Sequence, residues 1–275
     1  MAKQLLLIDG NSIVFRAFFA MHNQIDKFTN KDGLHTAAIY GFKLMLDHVL
    51  DKFHPDAALV AFDAGKVTFR TKMYDDYKGG RNKTPDELTE QFPYVRELVE
   101  ACGLHSCELK NYEADDIIGT LAKEGDEAGY ETLIVTGDRD LTQLASDHTT
   151  VAVTHKGVTD TEHYTPAHVE EKLGITPRQI IDMKALMGDS SDNYPGVTKI
   201  GEKTAIKLVK QFGSVENLYD HIDDLKKSKM KEHLVEDEEI ARQCKTLATI
   251  LQDAPLEISL DDIAYRGEQT EKLVA

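Results

Sequence analysis

The chain has 275 residues, of which 41% are hydrophobic, and a formal net charge of −16. That length supplies a core larger than one small domain needs, and no apolar stretch approaches the roughly 20 residues of a membrane span. An even spread of so much negative charge would exclude nucleic acid as a partner, since phosphate contacts need Lys and Arg.

The opening, MAKQLLLIDG, has too short an apolar run for a secretory signal, so the expected compartment is the cytoplasm. LLLID, ending at Asp9, reads as a buried strand, as do AALVAFD, ending at Asp63, and TLIVTGD, ending at Asp138. Helical patterns separate them, notably Thr36 to Phe53 and a long segment from Thr84. This alternation predicts an α/β fold with a mostly parallel central sheet. Parallel strands present their carboxyl ends on one side, where open α/β sheets carry their sites. Asp9, Asp63 and Asp138 are therefore expected to converge, with Asp140 returning to the same face two residues on in an extended segment.

The charge is not evenly spread. From Lys66 to Lys83 six basic residues face only Asp75 and Asp76, with Phe69, Tyr74 and Tyr77 interleaved among Arg70, Lys78, Arg81 and the rest. Aromatic faces for bases and cations for the backbone suit sequence-tolerant binding of a single strand, and Gly79 and Gly80 predict a segment that orders only with substrate. It ends at TPDE, where Thr84, Pro85 and Glu87 spell a helix start with a capping box. Next, NYEADD places Glu113, Asp115 and Asp116 within four positions at a helix start. One or two carboxylates there merely complement the helix dipole; three crowd one another unless a cation intervenes. Cys102, Cys107 and Cys244 read as reduced thiols, and a zinc site on Cys102, His105 and Cys107 lacks a fourth ligand.

Further on, Asp189 and Asp192 would share one helical face, either joining the acidic rim or decorating a loop; their position favours the rim. PGVTKIG then sets Gly196, Val197, Lys199 and Gly201 in a tight hairpin whose backbone amides can approach a phosphate, flanked by Lys203 and Lys207 on the following helix. So many carboxylates without an evident counter-charge imply oxygen-ligated Mg²⁺ or Mn²⁺. Two such ions about 4 Å apart are a recurring device for phosphodiester hydrolysis. On that reading, removing Asp63 or Asp116 leaves metal-free stability unchanged or raised.

DGNSIVFRAFFA, YEADDIIGTLA, VTGDRDLTQL and MGDSSDNYPGVTKIGEKTA, in that order and over nearly the whole chain, closely resemble the 5′ nuclease (5′–3′ exonuclease) domains of the flap endonuclease family, of the kind found at the amino terminus of bacterial DNA polymerase I. The resemblance implies a PIN-like catalytic domain over 1–175, with a helical arch at about 64–84, and a helix-hairpin-helix DNA-binding subdomain over 176–275. It assigns Asp9, Asp63, Glu113, Asp115, Asp116, Asp138, Asp140, Asp189 and Asp192 to two or more Mg²⁺ ions and associates K⁺ with the hairpin. Lys78, Arg81 and Arg16 are assigned to the scissile or neighbouring phosphates. The implied partner is DNA (5′-flap, nicked or branched duplex, and RNA primer ends), and the implied state a monomer. A PIN-like ribonuclease shares the sheet and rim but not the hairpin and arch, and a non-catalytic DNA-binding module has no use for nine carboxylates. EQTEKLVA ends without a C-cap signal, which points to a longer protein, with a free-standing nuclease as the alternative.

Overall fold

The computed structural model describes residues 2–21 and 27–274. Six strands, β1 (Lys3–Asp9), β2 (Ala57–Phe62), β3 (His105–Glu108), β4 (Tyr130–Thr136), β5 (Thr149–Lys156) and β6 (Asp160–Tyr164), form one sheet in the order β3-β2-β1-β4-β5-β6. The first five are parallel and β6 runs antiparallel to β5. Side chains alternate across a strand, so β1 sends Leu5 and Leu7 into one core layer and Leu6 and Ile8 into the other. Helices cover both layers. Over Leu6 and Ile8 lie α1 (Gly10–Met21), α2 (Ala37–Phe53), α4 (Asp86–Thr89) and α5 (Phe92–Ala101), with the short α3 (Phe69–Met73) between α2 and α4 in the chain. Over Leu5 and Leu7 lies α6 (Ala114–Glu127).

The chain continues through α7 (Pro166–Leu173), α8 (Gln179–Met187), α9 (Glu202–Phe212), α10 (Val215–Asp220), α11 (Lys229–Glu236), α12 (Glu238–Ala248) and α13 (Thr270–Val274). These helices bury Ile180, Leu208 and Phe212 in the same apolar cluster as α6. The segment after α12 returns to the sheet. Leu251 N donates to Asp116 at 3.0 Å, Ala254 N to Thr120 at 3.0 Å, and Tyr265 N to the Asp56 carbonyl at 2.9 Å.

Several local expectations change. The carboxyl ends of β1, β2 and β4 do bring Asp9, Asp63 and Asp138 to one side. Asp140, however, lies in a 3₁₀ turn (Arg139–Leu144) capped by the Asp138 side chain, not in an extended segment. Thr84 caps nothing: α4 starts at Asp86, and the Pro85 carbonyl takes the first helical amides. Asp189 and Asp192 are not on a helix face, because α8 stops at Met187 and residues 189–194 close a tight loop through paired Asp189–Tyr194 backbone hydrogen bonds of 2.9 and 3.0 Å. The segment 64–84 is not a continuous helix. Only Phe69–Met73 is helical, Thr68 caps it, and Arg70 and Tyr77 anchor it in the interior.

Gly196 shows what the hairpin requires. Its φ of +64° is left-handed, and a Cβ there would stand 2.2 Å from the Gly188 nitrogen. Gly201, the N-cap of α9, has no atom within 4 Å of that position. Gly196→Ala is expected to cost about 2 kcal/mol or more of unfolding free energy in urea titrations, while Gly201→Ser, a favourable N-cap, changes it by less than about 0.5 kcal/mol.

Candidate active site

At the carboxyl edge of the sheet, Asp9 is 4% exposed. One of its oxygens accepts from Thr136 Oγ1 at 2.8 Å and the other from Ser12 N at 3.1 Å. Asp63 accepts from Ala114 N at 2.8 Å, and its own amide donates to Asn11 at 3.0 Å. Asp138 accepts from Asp140 N at 2.8 Å, and its amide donates to Thr136 Oγ1 at 2.9 Å. Burial raises the Asp9 carboxyl to about 7 against its hydrogen bonds, with Asp63 and Asp138 adding repulsion. Burial, then Asp9 and Asp138, pushes Asp115 well above the usual carboxylate range. Asp140 is raised to about 7 by burial and then by Asp138, which outweigh the help of Lys184. Among the described residues Asp9, Asp63, Asp115 and Asp138 form no salt bridge.

The other half of the acidic set is neutralised by the chain itself, which corrects the expectation that it lacks a counter-charge. Arg70, expected to bind DNA, is 2% exposed. Its guanidinium forks onto Asp116 with two 2.8 Å bonds, reaches Glu113 at 3.1 Å, and donates to the carbonyls of Leu247 at 3.0 Å and Thr249 at 2.6 Å. The Asp116 oxygens also accept from Glu113 N at 3.1 Å and Leu251 N at 3.0 Å. All four acceptor positions of that carboxylate are then filled, so Asp116 is an internal anchor and not a cation ligand in this conformation. Glu113 takes Lys78 Nζ at 2.6 Å and the Tyr77 hydroxyl at 3.2 Å. Burial opposes the Lys78 charge, but Glu113, Asp192 and Asp115 outweigh it and hold the ammonium above its ordinary range. Asp192 pairs with Arg81 at 2.6 Å and accepts from Tyr77 at 3.1 Å.

Lys184 bridges Asp140 and Asp189. Despite burial, this pairing and the Ser191 hydrogen bonds hold Asp189 below the usual carboxylate range. The sequence reading missed Lys184, whose only signal is its place in the last turn of α8, five residues before Asp189. No three of the described His, Cys, Asp or Glu side chains are disposed to hold an ion between them in this conformation. The donor chemistry nevertheless fits a hard divalent cation: all oxygen, with crowded carboxylates that repel one another and form no salt bridge among the described residues.

The expected DNA contacts divide. Phe69 lies under Arg70 (4.5 Å) and near the Tyr112 ring (5.9 Å). Tyr74 is half-buried, and Tyr77, 4% exposed, stacks on Tyr194 with ring centroids 6.4 Å apart. Tyr77 is thus turned inward and offers no open stacking face, whereas Phe69 and Tyr74 are only partly covered. Arg16 is tied to Thr154 of β5 by bonds of 3.0 and 2.6 Å. Val197 is buried and its amide donates to the Leu186 carbonyl at 2.8 Å, while the next amide, Thr198 N, is taken by Asp237 at 2.7 Å. The exposed members are Lys199, Gly201, Lys203 and Lys207.

The fold is a resolvase-like, PIN-type α/β domain joined to a SAM-like helical half. Residues 4–174 match the family described as "5'-3' exonuclease, N-terminal resolvase-like domain" and residues 175–271 its "C-terminal SAM fold"; the chain belongs to the 5′-3′ exonuclease family. It is 58% identical over 271 residues to DNA polymerase I of Streptococcus pneumoniae R6, covering 98% of this chain and 31% of that protein. With DNA polymerase I of Bacillus caldotenax the figures are 56% over 275 residues, 100% and 31%. The chain thus spans about a third of the length of these curated relatives. A T5 5′-exonuclease structure with bound divalent metal ions (zinc) superposes with a TM-score of 0.74 at 25% identity, covering 90% of this chain and 89% of that one. The catalytic core of Rad2 in complex with DNA substrate shares the fold at a TM-score of 0.54 and 15% identity, over 99% and 86% of the two chains.

Asp116→Ala strands the buried Arg70 guanidinium and is expected to cost about 3–5 kcal/mol, seen as a large fall in Tm in EDTA. This reverses the expectation drawn from the sequence. Asp115→Asn removes repulsion and holds or raises Tm under the same conditions. The pH dependence follows from Asp9 and Asp140. Their folded values of about 7 exceed the ordinary value of about 3.9, so the folded state gains protons as pH falls and its stability rises. Tm in EDTA is expected to increase from pH 8 to pH 5.5, with a smaller rise in Asp9→Asn; equal rises in the two proteins would contradict the assignment.

Proposed function

We propose that this chain is a structure-specific 5′ nuclease that hydrolyses phosphodiesters of 5′ flaps and RNA primer ends in DNA replication and repair, as the amino-terminal part of a cytoplasmic DNA polymerase I. The observation that carries this reading is the group Asp9, Asp63, Asp115 and Asp138, buried or half-buried and without a salt bridge among the described residues, at the carboxyl edge of a sheet in this family. Mg²⁺, with Mn²⁺ as substitute, is the cofactor these oxygens suit, and Asp140, Asp189 and Asp192 join them for a second ion. Ions held by these carboxylates would supply Lewis acidity, offsetting the negative charge that develops at the phosphate.

The chain's own residues do the rest. Lys78 and Arg81, now paired with Glu113 and Asp192, exchange those carboxylates for the phosphate to be cleaved and oppose the negative charge that builds there. Arg16 holds a neighbouring phosphate. Lys199, Lys203 and Lys207 line an exposed strip that takes the duplex backbone, with K⁺ at the hairpin carbonyls. The active unit is a monomer.

Cleavage of a 5′-flap duplex with Mg²⁺, its loss in EDTA, and the absence of comparable cleavage of single-stranded RNA test this reading. Turnover of the RNA in preference to the flap would overturn it. Lys78→Ala is expected to lower the saturating single-turnover rate by about 10²-fold with a much smaller change in Kd; full recovery at saturation would limit Lys78 to collecting DNA. Lys203→Ala should weaken duplex binding regardless of sequence and reduce the salt-dependence slope by about one.

A further inference from the structure

Away from the acidic edge, α2 and the β4-β5-β6 face of the sheet bound a cavity of about 710 Å³. None of the carboxylates assigned to metal lines it. One wall is a single face of α2, where His48 and Lys52 stand one turn apart with Val49 and Phe53 beside them. The floor is one face of the sheet. Leu133 and Val135 of β4 are two residues apart, as are Thr150 and Ala152 of β5 and Thr161 and His163 of β6, and strand pairing sets Val135, Ala152 and His163 in one row.

The lining combines apolar surface with positive charge. Val49, Val135 and Ala152 are buried, and Phe53 is half-buried. Lys52 is exposed and His48 half-buried, and among the described residues their side chains form no hydrogen bond or salt bridge. Burial, and then the Lys52 ammonium, holds the His163 imidazole below its ordinary range, since a second positive charge facing the same space is disfavoured. An anion between the two relieves that repulsion. Two acids reach the rim, and each faces a histidine outside the lining: Glu131 lies 2.9 Å from His148 and Asp160 3.8 Å from His155. The Thr161 hydroxyl is 3.1 Å from the His163 ring.

The volume lies within the roughly 300–1,000 Å³ of small-molecule and cofactor sites and exceeds what one inorganic anion fills. An occupant that satisfies the lining carries a negative group for Lys52, His48 and His163, a flat apolar body for Val135, Ala152 and Phe53, and hydroxyl or amino groups for the threonines and the rim acids. We propose that this cavity binds a nucleoside monophosphate, its phosphate held by Lys52 and His163 and its base laid on the apolar floor. The inference concerns a site apart from the acidic edge and does not rest on the nuclease reading above.

The test is calorimetric titration with deoxyadenosine monophosphate, in EDTA and without DNA, on the wild-type protein, Lys52→Ala, His163→Ala and Lys203→Ala. Deoxyadenosine and inorganic phosphate are titrated separately. The expected result is saturable binding of the nucleotide to the wild type, weakened by about tenfold or more in Lys52→Ala, the scale of one lost hydrogen bond to a charged group. His163→Ala weakens it as well, Lys203→Ala on the duplex strip leaves it unchanged, and deoxyadenosine and phosphate each bind less tightly than the nucleotide. Lys52 and His163 are both exposed, so Tm without nucleotide stays at the wild-type value in each variant. Absence of nucleotide binding to the wild type overturns the inference, as does wild-type affinity in Lys52→Ala or an equal loss in Lys203→Ala. Phosphate that binds as tightly as the nucleotide overturns the assignment of the apolar floor to a base. With neither Mg²⁺ nor DNA present, the outcome is independent of the flap assay.

Discussion

The fork of Arg70 on Asp116 is the interaction on which the rest of the site depends. One guanidinium joins three parts of the chain: the basic segment that carries Arg70, the start of α6 through Asp116 and Glu113, and the carboxyl end of α12 through the carbonyls of Leu247 and Thr249. Both charges are buried, so neither is tolerable without the other. Their pairing ties the base of the basic segment to the sheet, and Lys78 and the exposed Arg81 are thereby carried to the acidic edge.

The division of charge at that edge follows from this anchor. Arg70, Lys78, Arg81 and Lys184 pair with Asp116, Glu113, Asp192 and the Asp140–Asp189 pair, whereas Asp9, Asp63, Asp115 and Asp138 form no salt bridge among the described residues. Burial first, and then repulsion from neighbouring carboxylates, raises the carboxyls of Asp9 and Asp115, a standing cost to the fold. Neutralising cations relieve it, which couples ion uptake to stability. The same ion pairs hold carboxylates that suit a metal ion and cations that suit a phosphate.

The helical half contributes position more than surface. Gly188 and Gly196 let the end of α8 and the start of the hairpin pass within backbone contact, and that closeness sets Asp189, Asp192 and Tyr194 beside Asp140. The lysines beyond the hairpin stay exposed because α9 buries only Ala205, Leu208, Val209 and Phe212.

The amino-acid sequence by itself determined the strands that end at Asp9 and Asp63 and the strand just ahead of Asp138, since apolar β-branched runs closed by a turn residue have one buried solution. It likewise determined the acidic start of α6, the exposed lysines of α9 and the family. It did not disclose β3, a four-residue edge strand of sequence HSCE that carries no apolar run, nor the placement of the 64–84 segment. Composition alone made Arg70, Phe69 and Tyr77 look like a surface for single strands, because a sequence shows which side chains are charged or aromatic but not which partner lies opposite. Only the tertiary structure decided that Arg70 faces Asp116 and that Lys184 spans Asp140 and Asp189. Each depends on contacts between residues far apart in the chain, 46 positions in the case of Arg70 and Asp116, where local periodicity carries no information.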